Sequence, residues 1–332
     1  MTDRWGFTFP LDGLPLSAHR EVLQQAESWG YTDAWTAEVD GNDAFAPLAL
    51  AAAWTTQLRL GTAIANVFTR GPALLAMQAA AIAEAAPDRL CLGIGSSSSA
   101  IVESWNGAKL QRPLERVRET VAFLRAALSG EKATSEALGV RGFRLSRRFA
   151  TPPPIYIAAL REKMLSLAGS VGDGVILNWL APADVPKAVG VAKEAAKSAG
   201  RDPDALEVAC RIFVLPEADD SLVRLVTRRV AAAYLSAPVY SAFHEWMGRG
   251  ELLRPMLDAW HGGDRRAALE LIPDSVIEAI FVLGSRRECL DKIESYCNNG
   301  VTVPIIALLP AALDPQELGK KNVSMLQALG RR

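Results

Sequence analysis

The sequence predicts an α/β fold: one (β/α)8 TIM barrel interrupted by two insertions. Short β-rich runs alternate with longer helical stretches through most of the chain, the pattern of a parallel sheet wrapped by helices. Eight such runs are found, the number that closes a barrel. The 332 residues suit a single domain over 1–332 with insertion segments near 129–154 and 238–278.

In chain order, the first strand is expected over 4–9 and leads into a helix over 17–29 opened by Ser17. Strands over 33–37 and 58–65 follow, with helices at 45–54 and 72–85, the second started by Pro72. The fourth strand, 89–94, precedes a helix over 113–129 with Pro113 in its first turn. The stretch 129–154 is rich in Gly, Arg and Pro and holds a short hairpin around 139–145. Alternation then resumes: strands at 154–158, 174–178 and 206–214, helices at 161–171, 183–199 and 219–235. Segment 238–278 reads as helical and polar, ahead of a helix over 286–298 capped by Ser285, a last strand at 303–309 and a helix near 315–329. Both departures are insertions rather than domains, because the strands flanking them are needed to complete one sheet.

Half the residues are hydrophobic, enough for a large core. Thirty-six Lys plus Arg against thirty-seven Asp plus Glu give a net charge of -1, so no bulk positive field exists to hold a polyphosphate, and nucleic acid is not an expected partner. The apolar runs 46–54 and 303–313 contain proline and fall short of the roughly 18 residues a membrane span requires. The opening MTDRWGFTFPLDG lacks a basic-then-apolar leader, which predicts a cytoplasmic protein. Cys91, Cys210, Cys289 and Cys297 are scattered and read as reduced core residues. None of the three histidines, His19, His244 and His261, ends a strand, so no multi-histidine metal site is expected; His19 reads as a solvated helix residue.

In such a barrel the active site lies at the carboxyl ends of the strands. The residues there are Thr8 and Phe9, Glu38, Asn66 and Val67, Gly95 to Ser99, Ala159 to Arg161, Asn178 and Trp179, and Arg211 to Val214. Few of them titrate near neutrality. Hydrolases would want paired carboxylates or metal ligands, and an aldolase a lysine; amides and hydroxyls favour a bound cofactor that the protein positions. Gly93 to Ser98 looks like a degraded dinucleotide fingerprint, but the third glycine is missing and the strand is the fourth, so that reading is rejected.

The stretches GYTDAWTAEVDGNDAF (30–45), LRLGTAIANVFTRGPALLAMQAAAIAE (58–84), RLCLGIGSSSSAIVESWNG (89–107) and PPIYIAALREKMLSLAGSVGDGVILNWL (153–180) resemble the bacterial luciferase-like superfamily, and within it the oxidoreductases that use the deazaflavin coenzyme F420. The resemblance implies an oxidoreductase passing a hydride between deazaflavin C5 and a small organic substrate. It also implies a bulge with a non-prolyl cis peptide after the third strand, assigned to Asn66–Val67 beside Ala65. Gly95, Ser96, Ser97 and Ser98 would approach a ring edge. Ala158, Ala159, Leu160 and Arg161 would hold the cofactor phosphate at a helix start, although family members often carry glycines where Leu160 and Arg161 stand. Asn178 would face the cofactor, with Trp179 and Leu180 as wall and cover. Glu38 stands where relatives place Asp, often followed by His; Val39 follows here, which leaves Glu38 as the candidate catalytic group and the proton donor unassigned. The resemblance also makes a homodimer an expectation. Two alternatives share the barrel: an FMN-dependent monooxygenase using reduced flavin and dioxygen, and a non-catalytic flavin-binding protein. Arg211, Arg254 and Trp260 are candidates to meet a polar substrate group.

Overall fold

The computed structural model describes residues 2–147, 149 and 151–332. Among the described residues, twelve strands form. They are β1 (Gly6–Thr8), β2 (Asp33–Thr36), β3 (Arg59–Thr62), β4 (Ala65–Asn66), β5 (Leu90–Gly95), β6 (Ala133–Ser135), β7 (Val140–Phe143), β8 (Ile155–Ala158), β9 (Gly174–Asn178), β10 (Glu207–Pro216), β11 (Val282–Gly284) and β12 (Val303–Leu308). Eight of them run parallel in the order β1-β2-β3-β5-β8-β9-β10-β12, and β12 returns to pair with β1, so the sheet closes. These are the eight strands read from the sequence. β6 and β7 make the expected hairpin, turning at Gly139 with φ +67°. Part of the 129–154 segment, residues 148 and 150, lies outside the described residues.

Period-two alternation sorts the strand side chains. One set, including Leu60, Leu92, Ile157, Val175, Cys210 and Ile306, packs under the surrounding helices. The other fills the barrel: Trp35, Cys91, Tyr156, Ile176, Ala209, Val303 and Ile305. The indole of Trp35 fits because Gly61 faces it; a Cβ on Gly61 would sit 2.2 Å from the ring. At the amino-terminal end the filling is charged. Arg59 lies against the fully buried Asp33 at 2.5 Å and against Glu207 at 2.6 Å, with the Tyr156 hydroxyl 3.3 Å away. Burial works against the guanidinium charge and its negative partners, Asp33 first, override it. This end is closed, which leaves the opposite mouth for a ligand.

The 238–278 segment is helical, as expected, in four pieces: Pro238–Trp246, Gly250–His261, Arg265–Glu270 and Asp274–Ile280. It is less polar than its composition suggests. Leu253, Met256, Ala268, Ile272, Val276 and Ile280 form a second core with Phe213, Leu215 and Trp179 from the barrel. β11 was not anticipated, because Val282–Gly284 continues the apolar run of the preceding helix; it pairs with Val214–Pro216 where β10 outlasts its neighbours.

His19 is a correction. It is fully buried, its Nε2 accepting the Leu11 N–H at 2.7 Å while Nδ1 meets the Pro15 carbonyl at 3.1 Å. The ring ties down the loop before its own helix, a role invisible to helical periodicity. Cys91, Cys210 and Cys289 are buried free thiols. Among the described residues, no helix is long and apolar enough to cross a membrane, and no group of His, Cys, Asp or Glu could hold a metal.

His244 is expected to make the fold acid-sensitive. It is buried, its Nδ1 accepts from Arg249 Nε at 3.0 Å, and Arg249 also grips Asp184 in the loop after β9. Burial first, then Arg249, lower its pKa from 6.5 to about 3. Only the unfolded chain takes up this proton as pH falls below 6.5, so the linked stability is intact above that value and lost progressively toward pH 3. Urea midpoints should record a loss of about 2 kcal/mol on going from pH 7.5 to 5. His244→Gln should flatten that slope; an unchanged slope would place the proton uptake elsewhere.

A candidate active site at the open mouth of the barrel

Above the Trp35 layer the inward-facing side chains become small or polar. Thr8 ends β1, Ile64 follows β3, Gly95 ends β5, Ala158 ends β8 and Asn178 ends β9, with Arg211 beside Asn178 in the β9–β10 register. Thr8, Ile64, Ala158, Asn178 and Arg211 all keep partial exposure, so side chains do not plug the opening. A Cβ on Gly95 would lie 3.1 Å from the Ala158 methyl and 3.2 Å from Ile64, so these three residues line one continuous surface.

Four polar atoms around that surface lack partners. Thr8 Oγ1, Asn66 Nδ2, Asn178 Oδ1 and Arg211 Nε are buried without a hydrogen bond. Native folds rarely leave such groups unanswered, and clusters of them mark places where a ligand completes the set. Asn66 is 1% exposed and its Oδ1 is used locally by the Phe68 N–H, so its amide nitrogen is the group left over.

The segment after β3 corrects one expectation. The non-prolyl cis bond is Ala63–Ile64, not Asn66–Val67. The β3 ladder with β2 stops at Thr62, and pairing resumes at Ala65 and Asn66 against Ile94 and Gly95. The irregular linkage falls in that gap, whereas Val67 is held by its N–H to the Gly95 carbonyl at 3.1 Å. Ala65 and Val67 point into the main core, and Ile64 is the residue this segment shows to the mouth. No sequence signal separated residue 64 from its apolar neighbours.

Glu38, read as the catalytic group, is already engaged. It pairs with Arg70 and accepts the Asn66 N–H at 3.2 Å and the Ala44 N–H at 3.4 Å. The carboxylate thereby ties the Asn66 backbone to Arg70. Ser96, Ser97 and Ser98 line the rim half-exposed, with Ser97 in the left-handed region at φ +59°. Ala159 spends its N–H on the Ile176 carbonyl at 3.1 Å and cannot donate to a phosphate. Beyond it, Leu160 and Arg161 enter helix Glu162–Val171, whose first N–H groups lack intrahelical partners. Arg161 is exposed at the N-cap.

Trp179 and Leu180 leave the mouth. Trp179 has φ +58°, which swings its indole out of the strand and onto Tyr234 at 4.2 Å, with Phe213 at 4.7 Å. Leu180 joins the main core and its carbonyl accepts from Tyr296. Sequence reasoning missed Tyr240, on the insertion helix Pro238–Trp246. Its ring lies 5.2 Å from Tyr234 and 6.2 Å from Trp179, the residue after Asn178; burial and Tyr234 push its phenol pKa up, and Arg211 and Asn178 pull against that. Arg254, in contrast, pairs with Glu251 on the surface, and Trp260 stacks under Arg265.

The family model described as luciferase-like monooxygenase matches residues 7–303. The chain belongs to the luciferase-like monooxygenase family. Within it, the chain is 29% identical over 298 residues to a 5,10-methylenetetrahydromethanopterin reductase of Methanolobus tindarius, covering 88% of this chain and 90% of that one. The luciferase-like barrel also superposes on the coenzyme F420-dependent tetrahydromethanopterin reductase of Methanopyrus kandleri, with a TM-score of 0.77 at 24% identity over 98% of this chain and 97% of that one. An F420-dependent secondary alcohol dehydrogenase in complex with an F420-acetone adduct gives a TM-score of 0.74 at 18% identity, covering 99% of each chain. The two structural likenesses establish the architecture.

Proposed function

We propose that this luciferase-like protein is a coenzyme F420-dependent oxidoreductase acting on a small organic substrate. The observation that carries the reading is a barrel mouth floored by Gly95, Ala158 and Ile64 and ringed by unanswered amide and hydroxyl atoms. It holds a flat polar-edged molecule better than it performs acid–base chemistry unaided. Bound there, the deazaflavin supplies C5 as hydride donor or acceptor.

This chain's own residues bind and orient. Asn66 Nδ2 donates to a ring-edge acceptor and Asn178 Oδ1 accepts from a ring-edge N–H, roles these atoms leave vacant in the fold. Glu38 acts one step away by fixing the Asn66 backbone. Ser96 to Ser98 supply the near rim, and Arg161 with the first N–H groups of its helix holds the phosphate. Tyr240 keeps its proton on Oη at neutral pH and stands as a hydrogen-bond donor over the mouth. The insertion helices pack on Trp179 and Phe213 at the edge of the site.

Titration with F420 and with FMN, followed by fluorescence, tests the assignment. F420 is expected to bind in the micromolar range or tighter and FMN at least tenfold more weakly. Tight FMN and absent F420 binding would make the protein a flavin monooxygenase. Turnover of a hydride acceptor with reduced F420 separates an enzyme from a carrier.

The proposal includes a homodimer. Helices Ala46–Trp54 and Pro72–Ala85 lie side by side, and Glu84 is their one charged residue. A solvent-facing helix is normally polar on its outer face, yet Leu74 and Met77 are each 46% exposed here. An uncharged face of this kind suits its own copy across a two-fold axis. Light scattering should give twice the 35.7 kDa of one chain, and Leu74→Glu with Met77→Glu should return the mass to one.

A further inference from the structure

Arg211 stands apart from the other arginines. Among the described residues, every other arginine that is not exposed is answered by oxygen: Arg59 by Asp33 and Glu207, Arg70 by Glu38, Arg89 by the Leu58 carbonyl, Arg116 by the Val67 carbonyl, Arg228 by Asp274, Arg249 by Asp184. Arg4 and Arg201 reach Asp33 and Asp173. Among the described residues, no carboxylate lies within ion-pair distance of Arg211 and its guanidinium makes no hydrogen bond. Its guanidinium carbon lies 5.4 Å from the ring of Phe213. Nε is sealed off without a partner, whereas the two terminal nitrogens are not sealed off.

The neighbours of that fork are matched to an oxyanion. Asn178 is the register partner of Arg211 on β9 and can turn its amide N–H to the same point; Tyr240 contributes a protonated hydroxyl from the insertion. Phe213, Tyr234 and Tyr240 make the adjoining wall aromatic, with Tyr234 and Tyr240 edge to face at 5.2 Å. A half-covered guanidinium without a counter-ion is costly to maintain, and a planar fork beside a hydroxyl and an amide is suited to bidentate capture of a carboxylate or phosphate.

We propose that Arg211, Asn178 and Tyr240 form the substrate's anion subsite, and that the substrate is an organic acid, carboxylate or phosphate ester, whose apolar or aromatic body lies along Phe213 and Tyr234. The inference rests on the oxidoreductase reading for the word substrate, but the subsite is measurable without turnover.

The test is calorimetric titration of the full chain, with and without F420, using benzoate, phenyl phosphate and the neutral benzyl alcohol as probes. At least one anion should bind tenfold or more tightly than the alcohol, and whichever wins identifies carboxylate or phosphate as the group recognised. Arg211→Met should abolish that preference, Arg211→Lys should keep part of it, and Tyr240→Phe should weaken the anion about threefold with the alcohol unmoved. If Arg211→Met fails to fold, the Lys and Phe variants carry the same comparison. Equal binding of the three probes to the unaltered protein, or a preference that survives loss of the guanidinium, overturns the proposal. A tenfold loss of F420 affinity in Arg211→Met also overturns it, since the guanidinium would then serve the cofactor. Failure of the unaltered protein to bind F420, with the anion preference intact, would instead remove the F420 assignment and leave the subsite standing.

Discussion

Gly95→Val is expected to cost the barrel mouth at least about a hundredfold in F420 affinity, roughly 2.7 kcal/mol of binding, while the chain still folds. The β5 backbone ends against Ala158 and Ile64, and the first added carbon would already stand 3.1 Å and 3.2 Å from them. The two further methyls of valine have nowhere to go but into the space the ring requires. Overpacking at such a point costs the fold about 1–3 kcal/mol, less than the roughly 5–15 kcal/mol that separates a folded domain from its unfolded chain. Gly95→Ala should fall between, and Ser99→Ala should stay within about twofold of the parent because Ser99 is exposed and its side chain caps nothing. Fluorescence titration with F420 and a thermal melt on each variant provide the check. A Gly95→Val protein that binds F420 normally would remove the cofactor from this wall.

Most of the barrel could be read from the chain because its elements are locally consistent. Strands such as Gly174–Asn178 are short apolar runs bounded by turns, and helices such as Pro72–Ala85 and Arg286–Asn298 announce their starts by a proline and a Ser285 capping box. What escaped was tertiary. β11 is made a strand only by the overhang of β10 beside it, and the polar-looking 238–278 segment hides a core that exists only against Trp179 and Phe213. His19 is buried by a loop that folds back over it, which no periodicity reports.

The site was legible at the level of which strand ends meet, and less so at the level of which atoms face inward. Asn66, Gly95, Ala158 and Asn178 are brought to one mouth, whereas Ala65, Val67, Trp179 and Leu180 adjoin them in sequence but point into cores. Alternation along a strand decides this, and it breaks where the strand does: at the Ala63–Ile64 linkage and at the left-handed Trp179. Glu38 illustrates a second limit. Its residue type suggested chemistry, but its partner Arg70 lies 32 residues away, and only the folded chain shows the carboxylate already spoken for.

At the closed end of the barrel, Arg59→Ala is expected to destabilise the fold by about 3–5 kcal/mol. Asp33 is fully buried and would lose its close guanidinium partner, keeping only Arg4 at 3.7 Å; the shallower Glu207 would lose the same partner but could turn toward water. The effect belongs to the stranded carboxylate rather than to the missing arginine, and a double replacement separates the two. Asp33→Leu with Arg59→Met removes both charges and restores apolar volume, so it should cost less than half of what Arg59→Ala costs alone. Urea unfolding at pH 7.5 with an unchanged slope would make the midpoints directly comparable. Because the ion pair is separated from Gly95 and Asn178 by the Trp35, Tyr156 and Ile176 layer, the folded fraction of either variant should bind F420 as the parent does. A double variant as unstable as Arg59→Ala would mean that the charges themselves, and not the volume between Trp35 and Tyr156, hold the barrel shut at that end.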